Sequence, residues 1–326
     1  MRIEALNRRS VCLLKTEAFD LTLRIEGLDP AEMAALLGAP GPRPDWQKIS
    51  TRGPIRIGFD EEFDDPGALP SWPGDPATRI PLEDGWVELR SDQPGIAGID
   101  PEAGRANRLL PSGLHLLLAQ QWARQGLFPL HAAALSWKGQ GLLLLGDQGA
   151  GKSTLVLAAM QLGATVVSDD WLLVGQDRAQ GWRAERLRQF LMFRPGAAFD
   201  RLASGLGERW LQNEDGRRVL PLPSDDPAWP AQLGLDRAVW LDAPAQERPL
   251  ISHFDRIDQA RLLAALVGAA MPRLLGADFP HERTRLLQGF QALVARLPAR
   301  RVCTGQDLLE HPDRLFDRLI EDEDRT

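Results

Sequence analysis

Residues 130–171, LHAAALSWKGQGLLLLGDQGAGKSTLVLAAMQLGATVVSDDW, decide the fold of this chain. Within them, Gly146-Asp147-Gln148-Gly149-Ala150-Gly151-Lys152-Ser153 fits the pattern G-x-x-x-x-G-K-[ST]. Three glycines let the backbone turn tightly enough to aim successive N–H groups at one anion, so a phosphate chain can be cradled without a cage of side chains. Lys152 is then placed to reach the outer phosphates as a point charge, Ser153 to offer its hydroxyl to Mg²⁺, and Thr154 opens the helix behind them.

The flanks supply the context this loop needs. Gly141 to Leu145 is a short, wholly apolar run, as a buried central strand should be. After Ser153, residues Leu155, Ala158, Ala159 and Leu162 recur at helical spacing until Gly163 supplies the stop. The helix N-terminus, with its partial positive charge, points at the phosphates. Upstream, Leu130 to Trp137 reads as one strand and Lys138 to Gly141 as a tight turn, so an antiparallel hairpin leads into the loop. That order departs from the usual nucleotide-binding βαβ unit.

Downstream, Ala164 to Ser168 reads as a strand with Asp169 and Asp170 at its end. The interval from Lys152 holds one helix and one strand, so the acids should emerge near the phosphate loop, at the carboxyl ends of the strands. One carboxylate there can hold Mg²⁺, and another can accept a proton from an attacking hydroxyl. Adjacent residues of an extended chain point to opposite sides, so the two acids divide these tasks.

Composition bounds the rest. A chain of 326 residues, 44% hydrophobic and 25% charged, has the balance of a soluble globular protein of one large or two smaller domains. The net charge of −7 argues against a nonspecific grip on nucleic acid. No apolar stretch approaches a membrane span and MRIEALNRRS is not a signal peptide, so the cytoplasm is the expected compartment and no membrane partner is expected. Cys12 and Cys303, far apart, indicate neither a zinc site nor a disulfide.

The first hundred residues read as β-rich. Val11 to Leu14, the alternating Leu21, Leu23 and Ile25, Ile55 to Phe59 and Trp86 to Leu89 are strand candidates. Asp29-Pro30 should cap a short helix through Leu37. The proline-rich stretch from Phe63 to Gly85 predicts a long irregular loop. Residues 1–105 are expected to be an accessory or substrate-docking module and 106–322 an α/β P-loop domain. Helices are predicted over Pro111 to Gln125, Ile257 to Val267, Glu282 to Leu297 and Asp307 to Ile320, and strands at Arg217 to Leu220, Ala238 to Leu241 and Arg300 to Cys303. Arg186, Arg188, Arg194, Arg217 and Arg218 are either a solvated face or a means of neutralising phosphate or an acidic substrate.

The order Leu130-His131-Ala132, hairpin, Gly146 to Thr154, then Ser168-Asp169-Asp170 resembles the catalytic domain of HPr kinase/phosphorylase and related bacterial serine kinases, over about 45 residues. The resemblance implies an HPr-kinase-like catalytic domain that transfers phosphate from ATP, with Mg²⁺, to a serine hydroxyl. It makes Asp169 the general base, Asp170 a metal-side or orienting group, and His131 a residue lining the site. By its own context His131 is a strand histidine equally suited to a structural role. Family members carry a further metal-binding Glu in an Arg-Gly-rich segment after the Asp pair, a segment tied also to the reverse, dephosphorylating reaction. Here the region reads Trp182 to Phe190 and departs from that pattern, with Glu185 the candidate for the ligand and an exposed strand residue the alternative.

The first hundred residues do not resemble the usual N-terminal domain of the HPr enzymes either, so a serine-bearing peptide or another protein is the expected substrate. Such relatives include tailoring kinases of peptide precursors. Members often form rings, and a homo-oligomer is the matching expectation. A small-molecule kinase, for example of free serine, and a P-loop ATPase switch with no phosphoryl acceptor are the alternatives. None of the three asparagines begins the N-K-x-D guanine signature.

Overall fold

The computed structural model describes residues 2–5, 11–16, 18–19, 21–36, 55–59, 79–82, 85–88, 95–99, 112–177, 179, 181–206, 210–213, 216–223, 229–242, 253–270, 280–303 and 310–321. The chain is a mixed α/β protein that divides into two compact units, Met1–Gln125 and Gly126–Thr326. Among the described residues no helix is long and apolar enough to cross a membrane.

The first unit runs β1 (Arg2–Ala5), β2 (Val11–Thr16), β3 (Leu21–Glu26), α1 (Pro30–Leu36), β4 (Ile55–Phe59), β5 (Arg79–Leu82), β6 (Gly85–Glu88), β7 (Gly95–Ile99) and α2 (Ser112–Arg124). Its strands form one antiparallel sheet in the order β1-β2-β3-β4-β7-β6-β5. Alternation along β2 and β3 buries Cys12, Leu14, Leu23 and Ile25 completely. Helix α1 starts where Asp29 and Pro30 place it: the Asp29 carboxylate accepts from the Glu32 N–H at 2.8 Å, and Glu32 accepts from the Asp29 N–H at 2.9 Å, a reciprocal cap.

Two features differ from the sequence expectation. The proline-rich stretch contains a strand, β5, in which Pro81 lies opposite Trp86. That strand is the sheet's edge, where a residue without an N–H is tolerated because no further strand needs its donor. The rest of the expected loop, residues 63–78 and 83–84, lies outside the described residues. The units part at Gln125 rather than near residue 105, because α2 packs on β4, β6 and β7 of the first sheet.

The second unit runs β8 (Phe128–His131), β9 (Ala133–Trp137), β10 (Gln140–Gly146), α3 (Lys152–Gln161), β11 (Thr165–Ser168), β12 (Trp171–Gln176), β13 (Trp182–Arg186), β14 (Phe190–Phe193), α4 (Ala197–Ala203), β15 (Leu211–Gln212), β16 (Arg218–Pro221), β17 (Gln232–Gly234), β18 (Arg237–Asp242), β19 (His253–Arg256), α5 (Gln259–Ala269), α6 (Pro280–Arg296), β20 (Ala299–Cys303) and α7 (Pro312–Ile320). They make a six-stranded sheet, β11-β9-β10-β18-β20-β19, a four-stranded sheet, β17-β13-β12-β8, and a three-stranded sheet, β14-β16-β15.

The hairpin β9–β10 closes through Lys138 and Gly139, both at positive φ (49° and 83°), as a two-residue turn matching the strand twist requires. Strand β10 is completely buried from Leu142 to Leu145 and lies parallel to β18. Helix α3 packs Leu155, Val156, Ala158 and Ala159 into the same core, joined by Leu315, Phe316 and Leu319 of α7. It stops as Gly163 predicts. Gly163, at φ 82°, donates to the Met160 carbonyl and Ala164 to that of Ala159, which satisfies the last turn.

The single strand expected over Leu130 to Trp137 is two strands. It breaks at Ala132, with β8 pairing β12 in one sheet and β9 pairing β10 and β11 in another. The partner chain switches sheets at the same level, since β11 ends at Ser168 and β12 starts at Trp171. Asp169 and Asp170 occupy the corner between them.

Close packing at the start of β10 sets apart two neighbouring glycines. A Cβ on Gly141 would lie 1.8 Å from the Gly234 carbonyl oxygen, whereas one on Gly139 would meet nothing within 4 Å. Gly141→Ala is expected to cost at least ~2 kcal/mol of overpacking strain, more than the left-handed penalty of ~1 kcal/mol at Gly139→Ala. Denaturant midpoints of the two variants check the order, and the reverse ranking would contradict the packing.

Candidate functional site

The loop from Gly146 to Ser153 leaves the buried end of β10 and enters α3. Its three glycines adopt the conformations that side chains resist: Gly146 at φ 148°, Gly149 at 88° and Gly151 at 97°. A Cβ on Gly149 would meet nothing within 4 Å, so that glycine is required by backbone conformation and leaves the loop's mouth open. Asp147, Gln148 and Gly149 are exposed, Ala150 is buried, and Ser153 and Thr154 are half-buried at the helix start. Lys152 folds back over the loop, donating to the carbonyls of Gly146 at 2.6 Å and Asp147 at 3.2 Å. Burial pushes its ammonium below the ordinary lysine range, while the charges of Asp170 and Asp147 oppose that shift.

The sheet places the acids at the same end. Strand β9 runs antiparallel to both β10 and β11, so β10 and β11 point the same way and their carboxyl ends emerge together. Ser168 and Leu143 share Ala134 as partner, two strand spacings apart, or about 10 Å. A register shift between Val166 and Ser168 bulges β11 just before the corner and re-aims the residues that follow. The Ser168 hydroxyl donates to the Trp171 carbonyl at 2.9 Å and accepts from the Asp170 N–H at 3.4 Å, which holds the corner closed.

The two carboxylates have opposite environments. Asp169 is 4% exposed and accepts the Met192 N–H of β14 at 3.2 Å. Burial, and then the neighbouring charge of Asp170, push its pKa up to about 8 against the pull of Met192 and Arg188. Asp170 is more open. His131 Nε2 lies 2.8 Å from its Oδ1, and Arg188 Nη1 donates to its Oδ2. Burial works to raise Asp170, but His131, Arg188 and Lys152 together hold it below the usual carboxylate range. One acid is thus set to carry a proton near neutrality and the other to stay ionised, the separation that acid–base work requires.

His131, Asp170 and Lys152 therefore converge, with Asp169 beside them, and the ring of Trp171 stands 5.7 Å from that of His131. Glu185 does not fit the alternative of an exposed strand residue. It lies fully buried on β13, opposite Leu173 and Gln232. Among the described residues no group of three or more His, Cys, Asp or Glu is arranged to hold a metal. The donor set of Ser153 and Asp170 suits a cation that arrives with its own phosphate ligands, not one caged by protein alone.

Sequence reasoning missed two contributors. The Met192 N–H that anchors Asp169 carries no side-chain signal at all. Arg188 was one arginine among five, and only the fold separates them: Arg186 is buried and donates to the Trp229 carbonyl at 2.9 Å, and Arg217 rests 3.9 Å from the Met192 sulfur. Arg188 donates to an acid of the site, Asp170.

No protein-family model matches the chain, and no curated protein matches it in sequence. Among solved structures it is similar to the Hpr(Ser) kinase/phosphatase from Coxiella burnetii, with 14% identity and a TM-score of 0.32, over 59% of this chain and 87% of that one.

The raised pKa of Asp169 has a stability consequence. Its folded value of about 8 lies above the unfolded 3.8, so its contribution to stability is complete below pH 4 and is lost as pH rises through 8. Asp169→Asn is expected to gain stability relative to the natural chain steadily across that window. Unfolding free energies measured at half-unit pH steps check this, and parallel profiles for the two proteins would contradict it.

Proposed function

We propose that this chain is an ATP- and Mg²⁺-dependent phosphotransferase that passes the γ-phosphoryl group to a serine hydroxyl of a peptide or protein. The observation that carries the reading is that β10 and β11 flank β9 in the same direction, so the glycine-lined loop and the acidic pair leave the sheet at the same end, near enough for the charges of Lys152 and Asp170 to act on each other. The order of sequence elements that resembles the HPr-type serine kinases supports serine as the acceptor.

Bound ATP and Mg²⁺ supply an activated phosphoryl group whose charge the metal shares. The chain's own residues do the rest. Loop N–H groups and Lys152 bind the phosphates, and Lys152 stabilises the charge that grows on the transferring group. Ser153 and Asp170 would hold the metal, and His131 steadies Asp170 from its other oxygen. Asp169 takes the proton of the attacking hydroxyl as the new O–P bond forms, while the bridging oxygen leaves with ADP. The buried setting of Asp169 keeps competing water from that position.

Because Asp169 must be ionised to accept the proton, kcat/KM should rise with pH and level off above about 8. Asp169→Asn is expected to lower transfer by about 10²–10⁴-fold, the usual worth of a general base, with ATP affinity little changed. Lys152→Ala should weaken ATP binding itself. Transfer of label from γ-labelled ATP to a panel of serine peptides, read beside calorimetric ATP binding, tests both. Loss of ATP binding in Asp169→Asn would assign that acid to the nucleotide site instead. ATP hydrolysis with no labelled acceptor in any peptide or serine-containing metabolite would favour an ATPase switch.

A further inference from the structure

We propose that Arg188 is a further substrate-contacting residue, held on Asp170 until nucleotide binds and then engaging the terminal phosphate of ATP. The inference rests on the phosphotransferase reading and adds to it a residue that distinguishes ATP from ADP.

The placement comes first. Arg188 follows β13, its side chain is 13% exposed, and its guanidinium donates through Nη1 to Asp170 Oδ2. Its guanidinium carbon stands 5.7 Å from the centre of the Phe190 ring, so an aromatic surface two residues on supports the planar group at that height. The carboxylate it holds is the one on which the charge of Lys152 acts. Arg188 is therefore one carboxylate away from the ammonium that reaches for the outer phosphates.

The chemistry follows. A guanidinium is a rigid fork of donors that matches phosphate oxygens as well as carboxylate oxygens, so moving from one to the other costs little geometry. Asp170 does not lose its orientation when Arg188 leaves, because His131 grips the opposite oxygen. Asp170 is also a group that would hold the metal, so metal and guanidinium compete for Oδ2 and the arrival of one displaces the other. The displaced cation then stands beside the phosphoryl group where negative charge is greatest, a second positive group opposite Lys152.

A residue that merely braced the corner would affect both nucleotides alike. A contact to the terminal phosphate affects only the one that has it. Binding of ATP and of ADP, each with Mg²⁺, to the natural chain, Arg188→Gln and Arg188→Lys is measured by calorimetry. Arg188→Gln should weaken ATP by about tenfold or more, the worth of a charge-assisted hydrogen bond, and leave ADP within about twofold. Arg188→Lys should recover part of the ATP affinity, since it keeps the charge and loses the fork.

Equal weakening of both nucleotides, or an unchanged ATP-to-ADP ratio, overturns the proposal. Should Arg188→Gln fail to fold, Arg188→Lys decides alone: a reduced ratio supports the contact and an unchanged one overturns it. A natural chain that binds neither nucleotide overturns the phosphotransferase reading itself. One that binds both, without a preference dependent on Arg188, overturns only this inference.

Discussion

The second unit depends on a shared corner in its sheets. Two chain segments leave the six-stranded sheet at the same level, one at Ala132 and the other across Asp169 and Asp170, and re-pair as β8 and β12. Residues in such a corner have no ladder partners to satisfy, so their side chains and backbone groups must find others. Ser168 closes the turn onto Trp171, Met192 donates to Asp169, and Asp170 is gripped by His131 and Arg188. The break in pairing is what frees two acids to stand at the sheet's end.

That corner acquires chemical meaning from what lies two strands away. Strand β9 is flanked by β10 and β11 running in the opposite sense, so the glycine-rich loop and the acids open at one end of the sheet. The low dielectric that stabilises such a core also splits the behaviour of the two carboxylates. Asp169, buried and met only by backbone donors, resists ionisation; Asp170, with His131 and Arg188 as side-chain partners and the charge of Lys152 acting on it, favours it. Identical side chains one residue apart thus come to suit opposite tasks through their neighbours alone.

Much of the local structure was legible before any coordinates. Gly163 ended α3, Asp29 capped α1, and the apolar run at Leu142 to Leu145 became a buried strand, because each is fixed by contacts within a few residues. The failures share a cause. Pro81 forbids an interior strand but not an edge, and edge or interior is a property of the sheet. Glu185 looks solvent-facing in a charged stretch, yet it lies fully buried on β13, and which face of a strand is covered is a property of the packed sheet. Leu130 to Trp137 has one continuous strand pattern, and nothing in it shows that its two halves pair with different sheets.

By itself, then, the amino-acid order settled which residue types were present and the short-range geometry around them: the glycines at positive φ, the lysine at the helix start, the hairpin, the paired acids after a strand. Those follow from steric limits on the backbone and from hydrogen bonds that close within a turn. The tertiary structure decided which of them meet. That Arg188 rather than Arg186 rests on Asp170, that Met192 supplies the donor for Asp169, and that His131 turns from an ordinary strand residue into a partner of an acid all depend on pairings between distant segments. Such pairings are fixed by the burial of whole faces, to which any one stretch contributes only a part.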